Sequence, residues 1–518
     1  MEVVGELVSS PPPTLEGGPR LGPLPSQPPA GYARTRVGFL TDTNKKWWAL
    51  AALSLSVFMI SLDNTVVAVA LRAIQKDLHT TVSELEWVVN AYSLTFAVLL
   101  ITAGKLADFL GRRRMFLAGL VVFTLTSLWC ALSTSGGELI VARAAQGVGA
   151  ALMLPSTLSV ITAIFPVSRR GVALGIWAAV SGAALAVGPL VGGALVDGAG
   201  WSWIFYINVP VGVLGFFFTL LVVPESRDTS EEQRLDYAGL LTSATAMFLL
   251  AFGLIEANRY GWSSTLIVLC FVGSVAAFAV FVLVELRQRL PMIDLSLFRN
   301  STFSGANIVG LTTFMSLFGF IFFMSLYAQT VLGYSAFKTG LAFISSTVAI
   351  MLMAPVGGKL SDRIGSRLPM SAGIAVFGVS LIILSRVVGL HTHFWVMFPW
   401  FVLGGSGFGF VLPPATAAAL AAVPTDKSGV ASGVLQAIRQ IGGALGIATM
   451  GAIMGAQTAH LTVGHPGYAE HFVTGLQHVL MASGAVAIVG AVTAVLAVRT
   501  HVQVDDAARA EGTGLAAP

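Results

Sequence analysis

The chain has 518 residues, 55% of them hydrophobic and only 10% charged, against roughly 25% charged in soluble domains. A water-soluble core could not enclose that much apolar surface. The net charge of +4 is spread over the flanks of apolar runs, which argues against a nucleic-acid-binding face. The two cysteines both lie inside apolar runs, so the sequence offers no disulfide framework and no metal-ligand spacing.

Residues 1–45 differ from the rest, with eight of the chain's 22 prolines in the first 30 positions and no apolar stretch. That composition predicts a disordered cytoplasmic arm, not a signal or transit peptide. Runs of about 18–25 apolar residues, enough to cross a ~30 Å hydrocarbon layer, then begin. They fall near 47–71, 86–106, 115–133, 138–161, 171–197, 203–223, 237–257, 263–286, 303–331, 338–358, 369–390, 394–417, 428–455 and 475–498. A charged connection, P-E-S-R-D-T-S-E-E-Q-R-L-D at 224–236, follows the sixth run, and a polar tail occupies 499–518. Fourteen spans put both termini on one side, and 22 of the 29 Lys and Arg lie on that side. The positive-inside rule makes it cytoplasmic.

The segment G-K-L-A-D-F-L-G-R-R at 104–113 returns as G-K-L-S-D-R-I-G-S-R at 358–367, an offset of 254. G-V-A-L-G at 171–175 is answered by G-V-A-S-G at 429–433, an offset of 258. Two matches at nearly one offset predict a duplicated all-α integral membrane unit in a 6+2+6 order. It comprises a six-helix bundle at 46–223, a linker with two inserted helices at 224–300, and a second bundle at 301–498. Duplicated halves around a midplane site are the design of secondary transporters.

Six motifs in order resemble the major facilitator superfamily, specifically its 14-span drug:proton antiporter subgroup (the EmrB/QacA type). They are G-K-L-A-D-F-L-G-R-R-R at 104–114, L-D-N-T-V-V-A-V-A-L at 62–71, R-A-A-Q-G-V-G-A at 143–150, Gly175 with G-P-L-V-G-G at 188–193, W-S-W-I-F-Y-I-N-V-P-V-G at 201–212, and Q-T-V-L-G-Y-S at 329–335. The chain departs from the pattern at Ala68, Arg72 and Ala184, where Asn, Pro and Gly are expected. The resemblance covers about 45–500. It implies a major facilitator fold working as a monomer in the cell membrane, and a conformational latch at Gly104, Asp108, Gly111, Arg112 and Arg113. It also implies an antiporter motif at Gly175, Gly188, Pro189, Gly192 and Gly193.

Asp63 is the one carboxylate this reading places deep in a span. An intramembrane charge must face a cavity or a partner, which makes Asp63 a proton-coupling candidate. Arg143, at similar depth in the fourth span, is its expected partner. Asn90, Gln146, Asn307, Tyr327, Gln329, Gln436 and Arg439 are the polar points of an otherwise apolar interior, suited to lining a site for amphipathic small molecules. The glycines at 404–409 lie inside a span, with no strand and no Walker lysine, and predict helix packing instead of phosphate binding.

The expected function is proton-coupled export of drugs or antibiotics by alternating access, with no cofactor, no metal and no enzymatic chemistry. Rival readings are an exporter of an endogenous lipid, siderophore or secondary metabolite, a proton-coupled peptide importer, and a transport-dead scaffold or sensor.

Overall fold

The computed structural model describes residues 42–165, 167–226, 236–288, 291, 293–423, 428–458 and 465–499. Most of the proline-rich arm, residues 227–235 of the charged linker and the tail beyond Arg499 lie outside them. The elements are α1 (Asp42–Asp77), α2 (Val82–Leu110), α3 (Arg112–Leu132), α4 (Gly136–Ile164), α5 (Val167–Ala199), α6 (Trp203–Tyr206), α7 (Asn208–Val222), α8 (Tyr237–Tyr260) and α9 (Thr265–Arg287). After a 3-10 turn, Leu295–Arg299, come α10 (Ser301–Thr330), α11 (Ala336–Ile364), α12 (Arg367–Val387), α13 (Phe394–Gly409), α14 (Leu412–Ala421), α15 (Ser428–Thr458) and α16 (Tyr468–Ala497). Among the described residues there is no strand.

The first described helix begins at Asp42. Among the described residues twelve segments, counting Trp203–Val222 and Phe394–Ala421 as one each, are long and apolar enough to cross a membrane. Beside them stand α2, with 29 residues, and α5, with 33. The break between α13 and α14 falls just before Pro413 and Pro414. Their missing amide hydrogens cannot continue the helical ladder, while a helix restarting there loses nothing at its first turn.

The repeat is written into the backbone. Gly111 ends α2 at φ +111° and its counterpart Gly365 ends α11 at φ +82°, conformations that cost an L side chain about 1–2 kcal/mol per residue. One residue therefore turns α2 into α3, and two, Gly365 and Ser366, turn α11 into α12. The packing repeats as well: α2 and α3 both lie against α4 as α11 and α12 lie against α13, and α1 packs on α5 as α10 packs on α15. The two bundles meet where α5 faces α11 and α2 faces α15. The extra pair α8–α9 packs chiefly on itself, with α8 resting on α2 and α15.

Small residues make these contacts close, as expected where lipid gives helices no hydrophobic reason to associate. A Cβ on Gly149 would lie 2.5 Å from the Phe123 amide nitrogen, and one on Gly407 2.6 Å from the Gly373 carbonyl oxygen. The 404–409 glycines are thus packing surface on α13. Cys130 and Cys270 are buried free thiols.

Candidate functional site

Asp63 lies mid-way along α1 and Arg143 seven residues into α4; each is 1% exposed. Arg143 Nη1 donates to Asp63 Oδ2 at 2.6 Å. Gln146, three residues further along α4 and hence on the same face, donates from Nε2 to Asp63 Oδ1 at 3.1 Å and to Ser127 Oγ at 2.7 Å. Its Oε1 accepts from Arg143 Nη1. Asn208 of α7 donates to the same Ser127 hydroxyl at 3.0 Å. Arg143 Nε donates to the Val88 carbonyl at 3.1 Å, and its guanidinium carbon sits 4.2 Å from the Tyr92 ring centre. Groups on α1, α2 and α4 therefore engage both carboxylate oxygens and two guanidinium nitrogens, and Ser127 of α3 with Asn208 of α7 supports Gln146 behind them. Five helices of one bundle converge on one charge pair.

The same turn of α1 carries the glycine motif of α5. A Cβ at Gly188 would collide with the Thr65 side chain, and one at Gly192 would lie 2.5 Å from Val66 Cγ2. Gly193 turns the other way, where a Cβ would sit 2.5 Å from the Ala336 carbonyl of α11. Pro189 presents its carbonyl to Gly340, at which a Cβ would collide with that oxygen. Just beyond, Asp197 caps α11, accepting from the amides of Ala336 at 3.1 Å and Phe337 at 2.9 Å. Ser325 Oγ donates to the Ala68 carbonyl at 2.6 Å, and Gln329 Nε2 to that of Val69 at 3.1 Å. These contacts close a seam between the bundles at the end holding the α1–α2 and α5–α6 connections, called here the distal end.

The expected polar lining does not gather in one place. Gln146 belongs to the Asp63 cluster, and Gln329 to the seam. Tyr327 donates its hydroxyl to the Gly389 carbonyl at 2.5 Å, within the second bundle. Asn90 is buried with neither amide atom partnered, as is Asn307 Oδ1. Gln436 and Arg439 are partly buried on α15, where Arg439 Nη2 donates to Thr416 Oγ1 at 2.8 Å.

One carboxylate escapes the sequence reading. Glu86 of α2 is 2% exposed, its Oε2 has no partner, and its carboxyl group presses on Gly451 of α15. It stands four residues past the helix start, at the edge of an apolar run where an acid draws no notice; only the packing of α15 over it shows otherwise. Nearby, Trp87 Nε1 donates to Glu256 Oε1 at 3.2 Å and Asn258 Nδ2 to the Ala452 carbonyl at 2.7 Å. Those bonds tie α8 to both bundles.

At the opposite end, the loop around Gly111 is held by the residues following α7. Glu225 Oε1 accepts from the Arg113 amide at 3.1 Å, the Ser226 carbonyl accepts from the Arg112 amide at 3.0 Å, and Arg114 lies 3.8 Å from Glu225. A Cβ on Gly104 would meet the Pro155 ring of α4 at 3.5 Å, an ordinary contact distance. The side-chain surroundings of Asp108 and Gly175 lie outside the described residues. Gly111→Ala combines an unfavourable φ with a Cβ 2.8 Å from Glu225 Oε1. It should lower stability by about 1–3 kcal/mol, read as a reduced unfolding temperature in detergent. A variant as stable as the parent would refute this account of the turn.

The Major Facilitator Superfamily model matches residues 53–447. The chain is 36% identical over 429 residues to the tetracenomycin C resistance and export protein of Streptomyces glaucescens, covering 83% of this chain and 79% of that protein. It is 37% identical over 408 residues to the multidrug resistance protein Stp of Mycobacterium tuberculosis, covering 79% and 75%. In fold it is similar to a bacterial homologue of the human lysosomal transporter Spinster, with a TM-score of 0.61 at 17% identity, covering 88% of this chain and 97% of that one. A helical repeat, a seam between two matching bundles and a family match over most of its length lead to one assignment: the chain is a multi-pass cell-membrane protein belonging to the Major Facilitator Superfamily.

Proposed function

We propose that this protein exports amphipathic drugs or antibiotics in exchange for protons, by alternating access of a site between its two bundles. The observation that carries this reading is the enclosed Asp63–Arg143 pair, set on α1 one to two turns from the Ala68 and Val69 carbonyls that join the second bundle. A proton arriving on Asp63 removes the charge that holds Arg143. The guanidinium keeps Val88 and Gln146 as partners, α1 is freed from α4, and the distal seam is biased toward opening. Loss of the proton restores the pair and closes it. The relatives named for tetracenomycin C export and for multidrug resistance support a small organic substrate.

In this reading the molecule has fourteen spans in a 6+2+6 order, with α2 and α5 as the spans at the bundle interface and both termini cytoplasmic. The distal seam is then an outer gate, shut here. The protein acts as a monomer driven by the proton gradient alone. Purified protein in vesicles with an imposed pH gradient should move a lipophilic dye against its concentration gradient. No dye movement above protein-free vesicles would overturn the proposal.

Asp108, Arg112 and Arg113 form the latch at the cytoplasmic end. Their copy is tied to Glu225, whereas Asp362 of the second copy is exposed on α11. Asp108→Asn should therefore reduce transport about tenfold or more, and Asp362→Asn less than about threefold, since a solvated charge contributes little. Equal losses at matched membrane levels would refute the asymmetry.

A further inference from the structure

Arg439 stands eleven residues into α15, about 16 Å along the helix at ~1.5 Å per residue. The protein treats its two interior arginines differently. Arg143 has a carboxylate, a backbone carbonyl and a side-chain amide as acceptors. Arg439 has only the Thr416 hydroxyl at 2.8 Å and the Phe314 ring, 5.8 Å from its guanidinium carbon. Among the described residues no carboxylate comes within 4 Å of it, and its Nε is shut off from solvent without a partner. Thr416 donates its own proton to the Leu412 carbonyl at 2.9 Å, so it offers a lone pair and no charge. A guanidinium fork in this setting lacks the planar acceptor its geometry fits.

The packing beside the arginine admits one more carbon at ordinary contact distance. Gly310 faces the arginine, and even a Cβ there would come no nearer than 3.5 Å to Arg439 Cγ and 3.8 Å to Nε. Phe314 continues into an aromatic wall, stacked on Phe318 at 6.1 Å and tilted against Phe408 at 6.0 Å. Asn307, one turn back on the Gly310 face of α10, holds its buried Oδ1 without a donor. A cation, an aromatic wall and an unused acceptor lie on facing surfaces of α10, α14 and α15.

We propose that this surface is an anion-binding subsite, which takes the carboxylate or sulfonate of an aromatic substrate between Arg439, Thr416 and Phe314. The proposal rests on the export reading and narrows it to substrates that include organic anions. Exchange of Asp63 for a neutral residue leaves this subsite intact.

The test uses two dyes sharing one ring system, 1-anilinonaphthalene-8-sulfonate and the uncharged N-phenyl-1-naphthylamine. Binding to the full chain is titrated in phosphatidylcholine nanodiscs, and extrusion is followed in vesicles with a pH gradient. Arg439→Gln should weaken binding of the sulfonate about tenfold and change the neutral dye less than about twofold. Arg439→Lys should fall between, because an ammonium lacks the fork. Gly310→Leu, which keeps the charge but fills the space, should also weaken the sulfonate selectively. Equal losses for both dyes in Arg439→Gln would assign the arginine a purely structural role, and no loss for either would remove it from the site; both results overturn the proposal. Anionic phosphatidylglycerol added to the nanodiscs should compete weakly. If it abolishes the difference between parent and Arg439→Gln, the occupant is a lipid headgroup and the substrate assignment falls. Failure of the parent to extrude either dye would sink the export reading alone, since the binding titration is independent of it.

Discussion

Asp63→Asn should abolish movement of dye driven by a pH gradient while leaving the protein in the membrane and able to bind its substrate. The amide matches the carboxylate in size, but it carries no charge at any pH and offers one acceptor oxygen where Arg143 and Gln146 use two. It therefore mimics one protonation state permanently. Because Arg143 is 1% exposed and loses its counter-ion, the variant should also be less stable, by about 3–5 kcal/mol if the pair behaves as buried pairs do when one partner is removed. Arg143→Gln added to Asp63→Asn removes the stranded charge. The double variant should regain much of that stability and none of the gradient-driven transport. Asp63→Glu keeps a titrating group on a longer arm and should retain partial transport with a displaced pH optimum. The decisive comparison is transport against thermal unfolding in the four proteins. Full gradient-driven transport by Asp63→Asn would place the exchanged proton on another group, with Glu86 the first to examine.

Gly340→Val should arrest the transport cycle by a different route. At this position the Pro189 carbonyl and the Leu190 Cα of α5 lie directly over the glycine. These are backbone atoms, which cannot rotate away from a new side chain as a flexible group would. α5 and α11 must separate by roughly the thickness of a methyl group or more, and Asp197 then loses the amides of Ala336 and Phe337. We expect transport to fall to background with normal membrane insertion, because each bundle is otherwise untouched. A cysteine pair at Asp197 and Ala336 should cross-link readily in the parent background, and at least about tenfold more slowly with Gly340→Val. Undiminished cross-linking together with undiminished transport would show that the seam tolerates separation and does not gate the path. The matching change at Gly310, well away from the seam, should leave that cross-link as in the parent.

Much of this architecture is legible along the chain. Hydropathy marks twelve membrane-crossing segments among the described residues, because lipid demands about twenty apolar residues per crossing. The repeat announces that the helices come in two matching sets, and the Gly111 and Gly365 turns follow from it, since breaks of only one or two residues use a φ here that other residues resist. Asp63 stands out as a charge where none is cheap, and Arg143 stands at a comparable depth. What the chain does not carry is direction around each helix axis. A helix in water writes its buried side as an apolar stripe, but one sheathed in lipid is apolar all round, and depth alone is left to read. Thus Asn90, Gln146, Tyr327 and Gln329 look equivalent in sequence, as polar points in apolar runs, while Arg439 stands apart as a charge with no acidic neighbour in its half. Only packing sends Gln146 to Asp63, Gln329 across the seam and Tyr327 to Gly389, and leaves Arg439 with a hydroxyl and a ring. Glu86 shows the converse, an acid that position marks as ordinary and that α15 encloses. Tertiary structure decided these cases because a hydrogen bond needs two helices in register at one height, a relation that no single segment encodes.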